Sequence, residues 1–87
     1  MQITTKSGFT CDIDPNVLNN APMLDALAEF ESGNKLAYSP FCLYILGKET
    51  RARLYEHLMT KDGRVPLEDV DREMGEIMHA LGTPAKN

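Results

Sequence analysis

The chain has 87 residues, 43% hydrophobic and 25% charged, and a formal net charge of −4. That length fits one domain, and that composition is ordinary for a globular protein with leucine, isoleucine, valine and methionine spread along it, which excludes a disordered tract. An acidic balance with pI near 5.0 argues against a general grip on nucleic acid, because such binding rests on neutralising phosphates.

The opening reads as a β-hairpin. Gln2 to Thr5 and Thr10 to Ile13 carry threonine and isoleucine, and Lys6-Ser7-Gly8-Phe9 supplies the turn. Ile3, Phe9, Cys11 and Ile13 are expected to face inward. Met1 to Gly8 contains no apolar h-region of a signal peptide. Two strands alone are marginal in water, so this hairpin must pack on the remainder, which reads as helical.

Asp14-Pro15 is a helix-start signal, since aspartate accepts from free N–H groups and proline surrenders a donor that has no partner there. Asn19-Asn20 and Pro22 interrupt that start, leaving at most a short turn over Asn16, Val17 and Leu18. A helix is predicted from Pro22 to Ser32, with Leu24, Leu27 and Ala28 on its inner face and Gly33-Asn34 ending it. Ser39-Pro40 repeats the start signal. Phe41 to Leu46 continues without a polar break, and a helix apolar all round is expected to be buried all round. That run is far short of the ~20 residues that span a bilayer, so no membrane segment is expected.

Gly47 is expected to end or kink this helix. Lys48 to Met59 reads as a further amphipathic helix with Leu54, Tyr55, Leu58 and Met59 on one face. Its cations Lys48, Arg51 and Arg53 are interleaved with Glu49 and Glu56, which weakens them as a basic patch. After an Asp62-Gly63 turn, Pro66 opens the last helix. Leu67, Val70, Met74, Ile77 and Leu81 repeat at 3-4-3-4 spacing, joined by Met78, with Glu68, Asp69, Asp71, Arg72, Glu73 and Glu76 assigned to the other faces. Gly82 is a natural cap, and 83–87 reads as a polar tail. The predicted class is mainly α (α+β): a short hairpin over 1–13, then about four helices over 15–82, in one domain.

Chemistry-bearing patterns are incomplete. Asp12-x-Asp14-x-Asn16 starts like a calcium loop, but Val17 stands where glycine is needed and Met23 where the bidentate glutamate is needed. Glu76 and His79 form one Glu-x-x-His pair, where carboxylate-bridged di-iron bundles use two with further glutamates. Cys11 and Cys42 are far apart with no Cys-x-x-Cys, and read as reduced, small apolar residues of a cytosolic protein. A dyad of His57 with a cysteine or serine has no local signature, and the chain holds no phosphate loop, Gly-x-Ser-x-Gly or His-Glu-x-x-His. The expectation is a protein without catalysis, metal or cofactor that binds other proteins. The apolar helices nominate Phe41, Tyr44, Ile45, Met74 and Met78 as contact residues, with core packing the competing role.

The order of features resembles a known family. Ile-Thr-x-Lys-x-Gly-Phe at Ile3 to Phe9 precedes Asp12-Ile13-Asp14 and a helix with Leu24 and Leu27. Leu43-x-x-Leu46-Gly47, Leu54-Tyr55-Glu56-His57-Leu58 and Asp62-Gly63-Arg64-Val65-Pro66 come next, and the chain closes on Leu81-Gly82 and Lys86-Asn87. This resembles the tail assembly chaperones of long-tailed phages and prophages, especially those of Gram-positive hosts. The resemblance implies a mostly helical, self-associating protein of the host cytoplasm, absent from the finished virion. It implies coating of the tape measure protein and recruitment of tail-tube subunits. It also implies a longer frameshifted form of the same chain, since Lys-Asn at the end can be encoded as a slippery AAA-AAC. Alternatives from the residues themselves are a regulatory or adaptor domain binding one partner, and a small metal-dependent protein using His57 and His79.

Overall fold

A computed structural model describes residues 1–82 of the chain; the predicted polar tail and its Lys86-Asn87 ending lie outside the described residues. Strand β1 (Gln2–Thr4) pairs antiparallel with β2 (Thr10–Asp12), in the register Gln2↔Asp12, Ile3↔Cys11, Thr4↔Thr10. The strands are each a residue shorter than predicted, and the ladder is extended by the Ile13 amide donating to the Met1 carbonyl. Ile3, Phe9, Cys11 and Ile13 all face inward and are buried. The turn closes through the Gly8 amide donating to the Thr5 carbonyl, with Gly8 at φ 93, a conformation that suits glycine.

Asp14 caps a single 3-10 turn, Pro15–Leu18, its carboxylate accepting from the Asn16 amide. Helix α1 then covers Ala21–Glu31. Its inner face is Met23, Ala26, Leu27 and Phe30, one residue out of phase with the predicted Leu24, Leu27 and Ala28; Leu24 is 55% exposed. The Phe30 ring packs on Tyr38 at 4.4 Å between centroids, which sets this rotation of the helix.

Gly33 takes the left-handed conformation that ends α1, while Asn34 begins the next element: its side chain accepts from the Leu36 amide over a 3-10 turn, Lys35–Ala37. Helix α2 is Tyr38–Leu58, starting before the predicted Ser39-Pro40 signal. Pro40 is accommodated because first-turn amides have no intrahelical acceptor to lose. Gly47, at φ 79 and ψ 168, leaves the helical region and kinks α2, so the two helices predicted on either side of it abut at the kink; counted as one element, they leave three helices among the described residues rather than about four. Phe41 to Leu46 is not buried all round. Leu43 and Tyr44 are 38% and 41% exposed, while Phe41, Cys42, Ile45 and Leu46 are buried. Met59, past the helix end, is also exposed.

Helix α3 covers Leu67–Leu81, with Glu68 and Asp69 at its positive end and Gly82 capping it at φ 101. Val70, Met74, Ile77 and Leu81 are buried as the spacing predicts, but Leu67 is exposed and Glu73 is fully buried. Side chains from the hairpin and all three helices meet in one apolar cluster centred on Met23, Ile45, Leu54, Met74 and Ile77. Among the described residues no helix is long and apolar enough to cross a membrane.

Candidate functional site

The five predicted contact residues separate by position. Phe41, Ile45 and Met74 sit in the core of this chain, at 3% exposure or less. Met78 is partly buried against that core. Tyr44 faces outward.

Tyr44 lines a surface groove of about 420 Å³ between α1 and the start of α2. Buried Ala26 and Ala37 line it with methyl groups only, leaving room between the flanking ridges. One ridge carries Pro22, Asp25 and Glu29 at helical spacing along α1, and the other carries Pro40 and Tyr44, one turn apart on α2. Between them the 3-10 turn holds Leu36 at 86% exposure, the most solvent-exposed of the large apolar side chains. Hydration of so much apolar surface is unfavourable, roughly 1.5–3 kcal/mol for a leucine left out of a core. Leu36 stands out in the sequence only as one apolar residue after a Gly-Asn-Lys loop; its position beside Tyr44 comes from the turn that joins the two helices.

A second concentration of polar side chains lies where the hairpin turn meets α2 and α3. The Thr5 hydroxyl donates to Glu73 Oε1 at 2.6 Å, and Thr5 Oγ1 lies 3.2 Å from Ser7 Oγ. Ser7 Oγ is in turn 3.0 Å from His57 Nε2, and the Lys6 amide donates to Glu76 Oε1 at 2.8 Å. Arg53 lies 5.2 Å from the Phe9 ring centroid and donates twice to the Thr10 carbonyl. Ser7 and His57 have the separation of a nucleophile and its base. The contact ties the hairpin turn to α2. Glu76 Oε1 is occupied by the hairpin, and His79 is exposed.

The remaining candidates have structural partners. Asp12 pairs with the terminal ammonium at 2.9 Å and Asp14 caps the Asn16 amide, so both carboxylates of the calcium-like triplet are engaged locally. Cys11 and Cys42 are free and buried. Burial pushes the Cys42 thiol up to about 12, partly offset by Arg51 and reinforced by Asp71. Burial likewise raises Cys11. Tyr38, whose hydroxyl donates to Asp71 at 3.0 Å, is held protonated first by burial and then by Cys42 and Asp71. Among the described residues no three histidine, cysteine, aspartate or glutamate side chains converge as a metal site would require. Neither a family model nor a curated protein nor a solved structure matches this chain.

Proposed function

We propose that this protein is a non-catalytic, protein-binding chaperone of phage tail assembly. In this reading it holds the tape measure protein and tail-tube subunits in the host cytoplasm and leaves before the virion is finished. The observation that carries the binding half is the groove beside Leu36 and Tyr44: a small protein keeps a leucine 86% exposed next to a groove between two helices, apolar on one side and acidic on the other. The family half rests on the order of motifs from Ile3 to Lys86-Asn87. Exposed Leu24 and Leu43 supply further apolar surface for association with copies of itself or with a longer frameshifted form.

The direct test is co-expression with the product of any neighbouring gene for a very long helical protein of the tape measure type, and then affinity capture of this chain. Recovery of a soluble complex supports the chaperone. Clean failure from low to high salt, with no neighbouring gene for a very long helical protein and no overlapping frame after Asn87, leaves a single-partner adaptor using the same groove.

A further inference from the structure

The groove between α1 and α2 has an electrostatic character that selects its occupant. Asp25 and Glu29 stand on one ridge four residues apart, about 6 Å along the helix. Two like charges at this spacing repel, and among the described residues no hydrogen bond or ion pair engages either carboxylate. Both side chains are exposed, and the chain as a whole is acidic. Opposite them Leu36, Pro40 and Tyr44 form a mainly apolar surface, with Asn34, whose side chain accepts from the Leu36 amide, also lining the groove and Pro22 at the end of the acidic ridge.

We infer that this groove seats an amphipathic basic helix of a partner protein, apolar side chains against Leu36 and Tyr44 and two cations one turn apart against Asp25 and Glu29. A helix is the occupant because one turn of helix matches the carboxylate spacing, and because a channel between two helical ridges accepts the apolar stripe of a third. Lysine or arginine is required because the rim offers two uncompensated carboxylates. A second copy of this chain fits less well. Among the described residues its one pair of lysine or arginine side chains a turn apart on a helix is Lys48 and Arg51, and there Arg51 is bonded to the Ser39 hydroxyl and carbonyl with Glu49 between them in sequence. The inference rests on the protein-binding reading above and is independent of which phage protein supplies the helix.

The test uses the full chain, isotope-labelled for amide NMR, and two synthetic helical peptides of about 18 residues, roughly five turns. One is leucine/lysine and the other leucine/glutamate, with the same apolar spacing. The leucine/lysine peptide is expected to shift the amides of Asp25, Glu29, Leu36 and Tyr44, and to bind more weakly as salt rises. Asp25→Lys with Glu29→Lys should weaken it about tenfold or more, and Leu36→Ser should weaken it independently. All three positions are exposed, so each variant should keep the parent amide spectrum elsewhere. Shifts confined to another face, equal binding of the leucine/glutamate peptide, or unchanged binding by the double variant would overturn the inference. So would a change in the oligomeric mass of the chain alone on Asp25→Lys/Glu29→Lys, which would make a second copy the occupant. Peptide binding without tape measure capture removes the phage reading and keeps the groove; tape measure capture that is indifferent to these variants does the reverse.

Discussion

Thr5 and Glu73, 68 residues apart in the chain, are joined by a 2.6 Å hydrogen bond inside the core. Glu73 is fully buried, and its second carboxylate oxygen has no hydrogen-bond partner, with Arg72 3.8 Å away. The bond fastens the hairpin turn to α3, and it converts an otherwise unsatisfied buried acid into a partly satisfied one.

Removing one partner and removing both should therefore have opposite consequences. Thr5→Val leaves the whole Glu73 carboxylate without hydrogen bonds and should cost on the order of 1–3 kcal/mol. Thr5→Val combined with Glu73→Leu removes the buried acid as well and should recover the part of that loss due to the carboxylate, leaving the smaller cost of the Phe9 amide, which donates to Thr5 Oγ1 at 3.3 Å. Urea unfolding of the two single variants and the double variant gives the coupling directly. Additive losses would show that the bond carries no energy.

Two glycines make a matched pair. Gly47 occupies φ 79 and ψ 168 at the α2 kink, a region that L side chains avoid, although open space surrounds a Cβ there. Gly47→Ala should cost about 1–3 kcal/mol, all of it backbone strain. Gly75 lies inside α3, exposed, and a Cβ there also meets nothing within 4 Å. Gly75→Ala should stabilise by roughly 0.5–1 kcal/mol through helix propensity. Thermal or urea midpoints of opposite sign are the expected readout.

Phe41 and Tyr44 lie three residues apart on α2 with different surroundings. Phe41→Ala opens the core and should cost about 3–5 kcal/mol. Tyr44→Ala should change stability by no more than about 1 kcal/mol while weakening partner capture. A Tyr44 variant that unfolds would return this residue to the core.

Alkaline pH should destabilise the fold through Cys42. Its folded value of about 12 stands above the ordinary 9.0, so the folded state keeps a proton that the unfolded chain releases. Stability is then insensitive to this thiol below about pH 9 and falls as pH rises from 9 toward 12, by at most about 1.4 kcal/mol per pH unit. Tyr38, raised mainly by burial, acts in the same direction. Urea midpoints under reducing conditions should fall over that range, with a shallower slope in Cys42→Ala. A thiol reagent at pH 8 should leave the folded protein largely unlabelled and react on unfolding.

Local chemistry made much of the fold legible. Asp14-Pro15 announced a short turn, Gly47 a kink and Gly82 a cap, because caps and positive-φ positions depend on a few neighbouring atoms. The 3-4-3-4 spacing of Val70, Met74, Ile77 and Leu81 located the buried face of α3 for the same reason. Glu73 was legible in part. It stands three residues after Val70 and four before Ile77, at the margin of the stripe, yet residue type assigned it to solvent. Thr5, inward in the hairpin alternation with Ile3, was the missing half of the signal.

The sequence by itself determined the composition of this protein, its hairpin-then-helices order, its turns and one amphipathic face, since each arises from interactions within about one turn of chain. Only the tertiary structure decided which apolar residues stay outside. Packing Phe30 on Tyr38 rotated α1 so that Leu24 left the core, and the Lys35–Ala37 turn pushed Leu36 into water beside Tyr44. Periodicity marks a face as apolar, but what covers that face depends on the angles at which whole helices meet, and those angles are a property of the packed chain.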